Sequence, residues 1–233
     1  MTADERLGQE PTSPPVVSVV NGNNAELISE VSRLYIADGD VVADVTFGLG
    51  AFWRSTDTSR FTLLASDLAA DRSDLGGLQG SFVQADFARL PYGSGSIDTV
   101  VLDPPYIHSP GRHQTDRRYN NAATTKGFYY SDILDLYVRG FQEAHRVLRA
   151  GGFLWVKCMD QVMSGRQQWA HVDLHRAATE LGFYGRDLFV LVPTSRTSKN
   201  RWTTQHHARK VHSYLWVFQK GTPTRSKSPR RAR

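Results

Sequence analysis

Short apolar runs rich in β-branched residues alternate with helix-period segments along this chain. The runs are "VVADV" at 41–45, "FTLLAS" at 61–66, "SFVQA" at 81–85, "DTVVL" at 98–102 and "GFLWVK" at 152–157. Each is too short and too apolar for an exposed hairpin strand, and strands apolar on both faces belong in parallel sheets covered by helices. Between the last two, Ile133, Tyr137, Phe141, Ala144 and Leu148 recur at three- and four-residue spacing. This predicts a helix with Ser131 as its N-cap and Gly151 just past its end. A second helix is expected over about 170–181, ending at Gly182. Two further runs, 187–192 and 212–220, are expected to form an antiparallel hairpin closing the edge of the sheet. The fold class that follows is α/β: a Rossmann-like, doubly wound, seven-stranded, mostly parallel sheet with a C-terminal antiparallel hairpin, in a single domain.

Composition agrees with one ordinary globular domain: 233 residues, 40% hydrophobic and 22% charged. A flexible N-terminal segment is expected over 1–15, the folded domain over 16–220 and a basic disordered tail over 221–233. Cys158 is the only cysteine, which excludes an internal disulfide and a cysteine zinc cluster and favours a reducing, cytoplasmic setting. The N-terminus lacks an apolar leader, and no apolar run reaches membrane length, so no membrane partner is expected. The net charge is +5. Arg225, Lys227, Arg230, Arg231 and Arg233 of the tail equal that excess, which points to a polyanionic partner.

The first run leads into "ADVTFGLGAFW", where Gly48 and Gly50 allow backbone to approach a ligand closely. Asp67 follows Gly48 by 19 residues, close to the roughly 20 at which an acid receives a ribose hydroxyl in dinucleotide sites. Asp86 and Phe87 follow the third run. Acids at the carboxyl ends of successive strands converge on the crevice where such sheets bind ligands. Gly-Leu-Gly lacks the third glycine of the dinucleotide fingerprint, and no Gly-Lys-Ser/Thr follows to hold phosphates. Asp44 would repel a pyrophosphate but suits a ligand carrying an amine and a sulfonium, a description that S-adenosyl-L-methionine fits.

"DVTFGLG", then "ASD", "QADF" and "DPPY", with "RVLRAGGFLWVK" and "HARKVHSYLWVFQK" beyond, resembles the amino-methyltransferases that modify exocyclic amines of DNA bases, the N6-adenine and N4-cytosine enzymes. The likeness covers about residues 20–220. It implies that Asp44, Phe47, Gly48 and Gly50 surround the methionine part of S-adenosyl-L-methionine, with Thr46 also among the cofactor-binding residues. By the same resemblance Asp67 holds its ribose hydroxyls, and Asp86 with Phe87 recognises and packs its adenine. Asp103, Pro104, Pro105 and Tyr106 would hold the target base.

The chemistry of that last assignment stands on its own. An exocyclic amine is a poor nucleophile because its lone pair is delocalised into the ring, and two acceptors aimed at its hydrogens favour a pyramidal geometry. The Asp103 side chain and the Pro104 carbonyl supply them, the latter fixed by proline dihedrals. Tyr106 offers a π face to an extruded base. No covalent nucleophile is required, and Cys158 reads as a buried structural thiol.

Two basic segments suit nucleic acid. One follows Tyr106 and holds Arg112, Arg117 and Arg118. The other holds Arg196, Lys199, Arg201, Trp202, Arg209 and Lys210 without an acid, giving phosphate contacts and a ring that can stack or wedge. His206, His207 and His212 lack a nearby carboxylate to complete a ligand set, so no metal is expected. The expected function is N6-adenine methylation of DNA. N4-cytosine or RNA N6-adenine methylation and an inactive nucleic-acid-binding module stand as alternatives. The absence of a large target-recognition region leaves room for a homodimer or a cognate partner subunit.

Overall fold

The computed structural model describes residues 14–68, 77–104, 129–194 and 205–222. Pro105, Tyr106, Arg112, Arg117, Arg118, Arg196, Lys199, Arg201, Trp202 and nearly all of both terminal segments lie outside them.

Ten strands and three α-helices are described: β1 (Val19–Gly22), α1 (Asn24–Tyr35), β2 (Val41–Asp44), β3 (Thr62–Asp67), β4 (Ser81–Gln84), β5 (Ile97–Leu102), α2 (Tyr130–Val147), β6 (Leu148–Cys158), β7 (Gln161–Met163), β8 (Arg166–Gln168), α3 (Ala170–Glu180), β9 (Phe183–Pro193) and β10 (Ser213–Lys220). Eight strands form one sheet in the order β1-β9-β10-β6-β5-β2-β3-β4, and β7 and β8 form a separate two-stranded sheet. Within the large sheet only β10 runs antiparallel, pairing with both β6 and β9.

The doubly wound sheet is therefore as expected, with eight strands where seven were expected. The additional strand is β1, four residues of which only Gly22 is fully buried, so it carries no apolar alternation to reveal it. It pairs parallel with β9. The β9–β10 hairpin consequently does not close the edge, because β10 inserts between β6 and β9 and β1 lies outside them.

Both faces of the central strands are covered, which explains their continuous apolar sequence. In β5, Val100 and Leu102 face one core with Ile133, Tyr137 and Phe141 of α2 and Leu174 of α3. Val101 faces the other, with Leu27, Ile28 and Val31 of α1. Helix α1 starts at a capping box: the Asn23 side chain accepts from the amides of Ala25 and Glu26, and the Glu26 carboxylate accepts from the Asn23 amide.

Helix α2 begins earlier than Ser131, because the Asp132 carboxylate accepts from the Tyr129 amide at 2.9 Å and moves the cap to Tyr129. Its last turn leads directly into β6. Leu148 already pairs with Ile97, and the register shifts before Thr99 meets Phe153, with Gly151 at φ +78° in the irregular stretch. Among the described residues no helix is long and apolar enough to cross a membrane.

Helix α2 lies tight against the sheet at Gly140, where a Cβ would meet Leu102 Cδ2 at 2.9 Å and Phe87 Cδ2 at 3.2 Å. Alanine is the better helix former by about 1 kcal/mol, yet overpacking a filled core costs about 1–3 kcal/mol. Gly140→Ala should therefore lower the urea midpoint at unchanged m-value. A raised midpoint would show that α2 can shift outward without loss.

Candidate active site at the carboxyl edge of the sheet

The site begins where β2 ends. Asp44 is buried, 2% exposed; its carboxylate accepts from the Thr46 amide at 3.1 Å and from Trp53 Nε1 at 2.8 Å. Trp53 is fully buried at the end of a 3-10 turn, Ala51–Trp53. Burial pushes the Asp44 carboxyl up to about 7; the bonds from Trp53 and Thr46 act against that rise, and the charges of Asp103 and Asp67 add to it.

The chain then turns through Gly48 at φ +52° and Gly50 at φ +65°, the left-handed region that favours glycine. At Gly50 a Cβ would meet Phe47 Cζ at 2.8 Å, whereas at Gly48 the nearest atom is Thr46 O at 3.9 Å. Among the described residues the backbone at Gly48 thus borders open space, as a close-lying ligand requires.

Two hydrogen bonds fasten this turn to neighbouring strands. The Gly48 amide donates to Asp67 Oδ2 at 2.8 Å, at the end of β3, and the Asp103 amide donates to Thr46 Oγ1 at 2.7 Å, just beyond β5. Asp44, Thr46, Gly48, Asp67 and Asp103 are thereby brought together. Asp86 is exposed just beyond β4, beside Ala85 whose amide donates to the Asp67 carbonyl, and its own Oδ1 accepts from the Ala88 amide rather than from this turn. Phe47 is only 4% exposed and packs edge-on against Phe82. Phe87 packs against α2 at Gly140.

Asp103 is 8% exposed, and its Oδ1 is buried without a hydrogen-bond partner among the described residues. Pro104 beside it is buried. Burial pushes the Asp103 carboxyl up to about 6, opposed by the positive charge of Lys157. The β5–β6 register runs through Leu102 opposite Val156 and, continued by one residue, sets Lys157 beside Asp103. Lys157 is 1% exposed and donates to Ser213 Oγ at 2.6 Å. Burial lowers its pKa while Asp103 and Cys158 act to raise it. Cys158 is fully buried, and desolvation drives its thiol far above the usual range, so it is no ready thiolate.

Sequence reasoning missed three parts of this edge: Trp53, Lys157 and the pair of buried Asp160 with half-buried His171, whose Nδ1–Oδ1 distance is 2.8 Å. For Lys157 a signal existed, since period-two alternation in "GFLWVKC" puts it on the same buried face as Trp155. The ring nitrogens of His207 and His212 go to Gly165 O and to the Tyr214 hydroxyl. Arg209 is exposed, and Lys210 Nζ lies 5.2 Å from the Trp169 ring centroid.

Desolvated acids gathered beside an open glycine backbone suit a ligand that brings positive charge, and the amine and sulfonium of S-adenosyl-L-methionine fit that set. Asp44 also makes stability pH-dependent. Its folded pKa lies above the unfolded value, so its contribution is fully present below about pH 4 and is lost as pH rises through about 7. Asp44→Asn carries a constant cost in hydrogen bonding but cannot titrate. Urea melts should show wild type losing on the order of a few kcal/mol relative to the variant between about pH 4 and 7. A difference independent of pH would mean that Asp44 titrates near its ordinary value.

A family model described as DNA methylase, for N6 and N4 enzymes, matches residues 97–231, more than half of the chain. No curated protein matches. Among solved structures, an S-adenosylmethionine-dependent methyltransferase from Methanosarcina mazei is 13% identical, with 83% of this chain and 98% of that one covered and a TM-score of 0.53. TrmN from Thermus thermophilus is 18% identical, TM-score 0.51, with 84% of this chain covered; the chain spans 48% of that protein's length. The [4+2]-cyclase SpnF is 15% identical, TM-score 0.55, with 85% and 81% covered. At such identities the likeness is one of fold, and a cyclase among the neighbours shows that the fold hosts more than one chemistry. The sheet is that of the S-adenosylmethionine-dependent methyltransferases, and the chain belongs to the DNA methylase family of N6 and N4 enzymes, whose cofactor is S-adenosyl-L-methionine.

Proposed function

We propose that this protein methylates the exocyclic N6 amine of adenine in DNA. The observation that supports this reading best is Asp103 Oδ1, a buried acceptor without a partner among the described residues at the carboxyl end of β5, opening the Asp103–Tyr106 tetrapeptide. Such an acceptor costs stability unless a ligand donor meets it. An amine hydrogen of the target base is a donor of the right kind.

In this reading Asp44, Thr46, Gly48 and Gly50 bind the methionine end of the cofactor and Asp67 its ribose, while Asp86, Phe47 and Phe87 shape the rest of its pocket. Bound there, S-adenosyl-L-methionine supplies an electrophilic methyl group. Asp103 accepts one amine hydrogen and the Pro104 carbonyl the other, turning the nitrogen lone pair out of conjugation. In the same reading Asp103 Oδ1 receives the proton that the methylated amine releases. Pro105 and Tyr106 complete the base pocket. Arg112, Arg117, Arg118, Arg196, Lys199, Arg201, Trp202, Arg209 and Lys210 provide the nucleic-acid contacts. The lone, buried cysteine fits work in the cytoplasm.

Lys157 is a positioning residue that acts through Asp103. Its buried charge favours the carboxylate, the form that accepts hydrogen bonds.

Methyl transfer from labelled cofactor to duplex DNA, single-stranded DNA and RNA, followed by nucleoside mass spectrometry, tests the proposal. N6-methyladenine in DNA is expected. N4-methylcytosine would move the target to the other branch of the family, and a product in RNA alone would overturn the DNA reading. Asp103→Ala should lower turnover by about 10²-fold or more, the usual loss of one transition-state electrostatic partner.

Turnover should rise with pH through about 6 as Asp103 ionises. Lys157→Met should move that limb to higher pH without changing cofactor affinity. An unmoved limb would remove Lys157 from the account.

A further inference from the structure

A second surface flanks this site on the side away from the cofactor acids. The β7–β8 hairpin follows β6 by two residues and turns through Ser164 at φ 50° and Gly165 at φ 74°, the two positive dihedrals of a tight primed turn. Residues 205–212, which lead into β10, lie against it. His207 Nε2 is 3.0 Å from Gly165 O, and the Lys210 ammonium sits over the Trp169 ring. Since β6 ends and β10 begins at the carboxyl edge of the sheet, both segments lie at the same edge of the sheet as Asp103.

Neither 161–169 nor 205–212 contains an acid. Arg166, Arg209, His206 and His207 are exposed, and Trp169 is 52% exposed. The platform beneath them is rigid: His171 is held by Asp160 and stacks on Tyr214 at 4.3 Å, while Trp216 Nε1 donates to the His171 carbonyl at 2.9 Å. An exposed indole on a fixed base, capped by a cation and ringed by positive charge, matches a polyanion that also has π faces.

Resting on the DNA reading above, we infer that the β7–β8 hairpin and the 205–212 segment form one DNA-backbone surface, with Arg166 and Lys210 on phosphates beside the target nucleotide and Trp169 against a neighbouring sugar or base. The strand then runs over the β6–β10 side of the edge and leaves the β2–β4 side to the cofactor.

The test is fluorescence anisotropy of a labelled 20-bp duplex and its single strand across a salt series, using the full chain. The double variant Arg166→Gln/Lys210→Gln should flatten the log-log salt slope by about two units, near 0.9 per lost phosphate contact. Trp169→Ala should weaken single-strand binding by about tenfold or more. Arg186→Gln, an exposed arginine at the start of β9 on the opposite edge, should leave the slope unaltered. Cofactor affinity and circular dichroism should match wild type throughout. A slope unchanged in the double variant, or flattened equally per charge by Arg186→Gln, overturns the surface while leaving the DNA reading intact. A wild-type chain that binds no DNA at any salt and methylates another acceptor overturns both.

Discussion

Three strand ends in this protein are tied to one turn. The Thr46 hydroxyl accepts from the Asp103 amide, and the Gly48 amide donates to the Asp67 carboxylate, so the loop after β2 is held from both neighbouring strands. Without that double tie the left-handed glycines would leave the turn free to sample other paths. With it, the acid that ends β3 and the acid that follows β5 stand on opposite sides of one short backbone stretch. The buried Asp44–Trp53 bond underpins the same turn from below.

That arrangement concentrates negative charge where water is largely excluded. Asp44 and Asp103 are both shifted upward by burial, and the charge of Asp103 further opposes ionisation of Asp44. The buried cation Lys157 favours the charged form of Asp103 and is not among the influences on Asp44. The crevice is thus divided. On the β2–β3 side the acids have no buried lysine behind them among the described residues and favour a cationic ligand, while at β5 the carboxylate is supported by Lys157. The division matches a methyl donor carrying positive charge on one side and a neutral amine acceptor on the other.

Much of the fold was legible in the sequence because its signals are local. The five apolar runs fall on β2, β3, β4, β5 and β6, and α3 runs to just before the Gly182 stop. What escaped was weakly patterned or non-local. Strand β1 is short and half exposed, α2 takes its cap from Asp132 rather than from Ser131, and the β7–β8 hairpin has no turn dipeptide of the Asn-Gly kind.

The candidate site divides along the same line. The order of glycine turn, acids and Asp-Pro-Pro-Tyr determined by itself the family resemblance, the kind of cofactor and the identity of the acids at the edge, because those depend on residue type and spacing along one strand-turn unit at a time. Only the tertiary structure decided that Asp67 and Asp103 are hydrogen-bonded to the same turn, that Phe47 and Phe87 pack into the protein, and that Lys157 lies behind Asp103. Each of those facts is set by parallel pairing between strands distant in sequence. Register between such strands follows from packing on both faces of the sheet, and packing of that kind leaves no mark in any single stretch of residues.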